Sequence, residues 1–112
     1  MKFFTTEDNR SYGVTDYHEW IKGNFKDGIF WSEDSILLAD STYSRLNLYK
    51  FLAELIDGYD PYDNYEIDRE LWEQMLSKAD EIGGEMKELF EEATPWVEAN
   101  YEENEVFTIL GL

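Results

Sequence analysis

An α+β domain is what this sequence predicts: a small β-sheet of N-terminal strands and one C-terminal strand, packed against about three helices. Three observations carry that expectation. Short apolar runs bounded by turn residues occupy the first third of the chain. Stripes with three-and-four spacing fill the middle, and one more short apolar run closes it. A length of 112 residues suits a single domain over residues 1–112 and leaves no room for two cores.

Residues 2–5 read as an opening strand. Asp16 with Glu19 three places on is a capping-box pattern. It predicts a short helix that carries Tyr17, Trp20 and Ile21 and is closed by Gly23. The apolar runs 29–31 and 36–38 flank Ser32, Glu33, Asp34 and Ser35 and suggest a hairpin, with Trp31 in its first arm. From Ser44 to Asp57, the residues Leu48, Phe51, Leu52, Leu55 and Ile56 trace one helical face, stopped by Gly58. A second stripe runs through Ile67, Leu71, Trp72, Met75, Leu76, Ala79 and Ile82 to a junction at Gly83 and Gly84. A third holds Met86, Leu89, Phe90 and Ala93. Proline inside a helix loses a hydrogen bond, so the helix is expected to break there and restart, Thr94 as N-cap and Pro95 in the first turn. Trp96, Val97 and Tyr101 then ride the continuation. Residues 106–110 form the closing strand, which is expected to return to the N-terminal sheet.

Composition narrows the function. Hydrophobic residues make up 43% and aromatics 17%, too much of both for a disordered acidic tail. Against this stand 26 acids and 9 bases, a formal charge of -17. Such a charge repels nucleic acid, anionic membranes and phosphorylated substrates, and it favours a basic partner. It also opposes compaction, which the aromatic core has to offset. With no cysteine, a disulfide framework, a thiol nucleophile and a thiolate metal site are all excluded. The N-terminus lacks the apolar h-region of a signal peptide, and no window approaches the ~18 apolar residues of a spanning helix. A cytoplasmic protein is the simplest expectation.

The charge is concentrated. Residues 1–53 hold 8 acids and 6 bases, whereas residues 54–105 hold 18 acids and 3 bases, Arg69, Lys78 and Lys87. A solvated, solubilising surface would intersperse both signs. A one-sided excess fits a surface that steers a basic partner. Within it, tyrosine recurs at every third position with an acid behind it: Tyr59 and Asp60, Tyr62 and Asp63, Tyr65 and Glu66, with Asp68 beyond. Tyrosine contributes much contact area at little entropic cost, and neighbouring acids pair with Arg and Lys. These seven residues are the candidate partner-binding site, in a loop favoured by Gly58 and Pro61. At least one of the three tyrosines is expected to cap the core instead. A calcium loop is disfavoured, because the spaced acid pattern with its glycine is absent.

Catalytic constellations are thin. His18 is the only histidine, which excludes a two-histidine metal site and reads best as a packed or surface residue. No nucleophile elbow, phosphate loop or dinucleotide fingerprint is present. Paired carboxylates carry no signal in a chain with so many. No catalytic residue, no cofactor and no metal are expected, and the chain is not read as an enzyme.

In size, lack of cysteine, acidity and the tyrosine–acid stretch 59–66, the chain resembles the acidic immunity proteins that bacteria make against their own nuclease toxins. Colicin DNase immunity proteins similarly place tyrosines among acids at their binding face. The resemblance covers no continuous motif, and those proteins are all-helical, so no residue role is carried over. It implies a toxin domain as partner, an antitoxin-like nuclease inhibitor that works in the cytoplasm, and no catalysis. The alternative is a DNA mimic that blocks a restriction or CRISPR-type defence protein with carboxylates at phosphate-like spacing. Neither reading includes nucleic acid, membrane or a small-molecule substrate as partner.

Overall fold

The computed structural model describes residues 2–9, 16–24 and 34–111. Among these, five strands form one antiparallel sheet: β1 (Phe4–Thr5), β2 (Tyr17–Lys22), β3 (Ile36–Ala39), β4 (Tyr65–Asp68) and β5 (Val106–Ile109). Their spatial order is β1-β3-β2-β5-β4. Four helices, α1 (Asp40–Arg45), α2 (Leu48–Leu55), α3 (Arg69–Ile82) and α4 (Gly84–Tyr101), supply the rest. The fold is therefore α+β. The closing strand does return to the N-terminal sheet, entering between β2 and β4 with Ile109 opposite Trp20 and Phe107 opposite Ile67.

The core fills the space between one sheet face and the helices. Trp20 is its centre: its ring stacks on Phe107 at 5.3 Å and meets Phe4 edge-on at 4.9 Å and Trp72 edge-on at 6.3 Å. Offset and edge-on ring pairs each contribute about 0.5–1.5 kcal/mol beyond the area they bury. From the helices come Phe51, Met75, Leu89, Phe90, Ala93 and Val97, all buried. The opposite sheet face is buried too, at Leu37, Ile21 and Thr108. Two polar clasps tie the chain ends into this body. Glu92 on α4 accepts from the backbone N–H groups of Lys2 (2.5 Å), Phe3 (2.9 Å) and Phe4 (2.7 Å) and so docks β1. Buried Asn100 accepts from Gly23 N–H at 3.0 Å and donates to the Val106 carbonyl at 3.1 Å, joining α4 to β2 and β5.

Several local expectations are corrected. Residues 17–22 are strand, not helix. Seven or eight residues are too few for a helix without tertiary support, and this run is paired on both sides, by β3 and β5. Gly23 closes that strand instead of a helix, with φ 70°. The single helix expected over 44–57 is two, α1 and α2, because Asn47 adopts a left-handed φ of 55° that Asn tolerates better than most residues. Ile67 belongs to β4, and α3 starts only at Arg69. Pro95 does not break the third helix. The helix runs unbroken from Gly84 to Tyr101, and the Thr94 hydroxyl donates back to the Phe90 carbonyl at 2.8 Å, so Thr94 is no N-cap. Buried Ala93 and Val97 hold both sides of the proline against the core. The second arm of the expected hairpin is β3. Its first arm, with Trp31, lies outside the described residues.

Candidate protein-binding site

The tyrosine–acid stretch connects α2 to β4, and each of its residues has a distinct post. Gly58 opens it at φ 70°, a conformation that favours glycine. Tyr59 then turns inward and is only 9% exposed. Its hydroxyl lies 2.8 Å from that of Tyr43 on α1, and its ring meets Tyr49 at 5.7 Å and Tyr65 at 5.1 Å. Tyr65 is half-buried at the far end, where its hydroxyl accepts from Asp60 N–H at 2.8 Å and donates to the Gly58 carbonyl at 3.4 Å. Two of the three tyrosines thus brace the loop from below.

Between them residues 60–63 form a tight turn. Asp63 N–H donates to the Asp60 carbonyl at 3.1 Å, and Asp60 Oδ1 accepts from Tyr62 N–H at 2.9 Å. Asp at the first position and proline at the second are what such a turn favours. Asn64 Oδ1 accepts from Gly111 N–H at 3.0 Å. Gly111 passes so close beneath the loop that a β-carbon there would overlap the Tyr62 carbonyl. The result is a braced turn that holds Tyr62 71% exposed.

The acids divide by role. Asp60 closes the turn, and Asp68 caps α3 by accepting from Leu71 N–H at 2.8 Å. Glu66 faces solvent on β4 and accepts from the Asn24 side-chain amide. Asp63 is exposed. The bases of the described residues are largely spent elsewhere: Lys2 on Glu88, Arg45 on Glu85, Arg69 on Glu98, Lys78 on Glu54 and Lys87 on Asp80. Among the described residues no Lys or Arg pairs with Asp57, Asp60 or Asp63.

Three residues of this region carry no signal in the tyrosine–acid pattern. Tyr43 stacks on His18 with ring centroids 4.1 Å apart, and His18 Nε2 lies 2.9 Å from Asp40 Oδ1. Burial pushes the imidazole pKa down against the pull of Asp40. Burial likewise pushes the Tyr43 and Tyr59 phenols up, so both stay un-ionised at neutral pH. His18 is 2% exposed. Its ring links β2 to α1 beneath the tyrosines. Tyr49, 48% exposed, extends the aromatic row to the surface of α2. Its one sequence signal is an aromatic set off the Leu48, Phe51, Leu52 stripe.

Among the described residues, no group of three His, Asp or Glu side chains is placed to hold a metal ion, and no helix is long and apolar enough to cross a membrane. The chain matches no protein-family model, no curated protein and no solved structure.

Proposed function

We propose that the chain is an acidic protein-binding inhibitor, an immunity-type protein that neutralises a nuclease-type toxin in the cytoplasm by covering its basic active-site cleft. The observation that carries this reading is the braced turn: one tyrosine ring, 71% exposed, held among carboxylates that no base of the described chain compensates. A pre-ordered backbone loses little entropy on binding, which is how small patches reach high affinity. The uncompensated acids supply the field that draws in a basic surface. The molecule measures 34 × 30 × 27 Å, a rounded body that suits a compact patch better than a ridge tracking a duplex. That favours the inhibitor over the DNA mimic.

The test uses a basic nuclease domain encoded beside this chain as the partner. The chain should suppress its nuclease activity and form a stoichiometric complex with it. Asp60→Lys with Asp63→Lys should slow association about tenfold at low salt and flatten its salt dependence, because charges at the interface rim act mainly on encounter. Unchanged stopped-flow rates would take the turn out of the interface. A nuclease that stays active under excess of this protein would overturn the inhibitor reading.

A further inference from the structure

No further inference is drawn: the strongest candidate, the groove of about 350 Å³ between α2 and the α3–α4 junction, lined by buried Phe51 and Met86 and by exposed Ile82, carries nothing, because its charges, Lys50 and Lys78 against Glu54 and Glu81, favour neither sign of ligand and nothing in the structure shows what covers it.

Discussion

Removing one hydroxyl from the Tyr43–Tyr59 pair should destabilise the protein as much as removing both. The two oxygens lie 2.8 Å apart with both side chains buried, so each is the other's hydrogen-bond partner. Tyr59→Phe leaves the Tyr43 hydroxyl without a partner, and Tyr43→Phe does the converse. Each should cost about 1–2 kcal/mol, the penalty of a buried polar group left unpaired. The double variant loses the bond but strands nothing, so it should cost no more than either single change. Additivity would instead require about 2–4 kcal/mol. The coupling of roughly 1–2 kcal/mol is well above the error of urea unfolding, which the buried Trp20 and Trp72 report by fluorescence. In a chain of this size the single changes should lower the melting temperature by about 4–8 °C. Tyr62→Phe is the control and should move stability by less than about 0.5 kcal/mol, since its ring stands in solvent. A double variant as unstable as the sum of the singles would refute the reasoning. The outcome bears on the site directly, because Tyr59 is the strut that holds the 60–63 turn in place.

The remaining expectations each isolate one clasp. Burial depresses the His18 pKa below its ordinary 6.5, so the unfolded chain takes up that proton more readily than the folded one. The stability tied to neutral His18 is then whole above about pH 6.5 and shrinks as pH falls toward the folded-state pKa. His18→Gln should remove this slope from the urea midpoint between about pH 7 and 5, and parallel curves for the two proteins would sink the idea. Glu92→Ala frees the amides of Lys2, Phe3 and Phe4 and should cost about 2–4 kcal/mol, with fast hydrogen exchange at Phe3 and Phe4 as its signature. Protection there equal to wild type would remove the clasp from the account. Gly111→Ala pushes a methyl group at the Tyr62 carbonyl and should shift the amide signals of residues 60–64. An unmoved turn would mean that the chain end gives way instead.

What could be read from the sequence was what the chain specifies locally. The stripe through Trp72, Met75, Leu76 and Ala79 marks α3 because its period needs no knowledge of the neighbours. Residues 106–110 mark a strand for a similar reason, an unbroken β-prone run. The misread segments are those whose state is set from a distance. Tyr17–Lys22 carries a helix-start pattern, but its backbone groups are taken up by β3 and, from the far end of the chain, by β5. Tyr65–Asp68 looks like the tail of a polar loop until β5 pairs with it. Pro95 breaks the rule for isolated helices and survives because the core grips Ala93 and Val97. In the same way the tyrosine–acid alternation was visible, with Pro61 ahead of Tyr62 marking that ring as the outward one, while the contacts that fix this choice were not. That choice depends on Tyr43, which receives Tyr59, and on Gly111, which passes beneath Tyr62.

The distribution of charge follows from the same division between local pattern and distant contact. Lys2, Arg45, Arg69 and Lys78 each reach an acid on another element, so the few bases act as bridges: the N-terminus to α4, α1 to α4, α3 to α4 and α3 to α2. Exposed bridges of this kind contribute at most about 1 kcal/mol each. They do not compact a chain of charge -17. The aromatic cluster around Trp20 does that, and the bridges serve to cancel repulsion where helices meet. With the bases placed at those seams, the loop between α2 and β4 keeps its acids unscreened. The backbone there is held by the loop's own Asp60 and Tyr65, and Asn64 ties it to Gly111. Neutralising the seams and leaving the turn charged are therefore one arrangement: among the described residues, the bases that bridge the helices are bases the turn lacks.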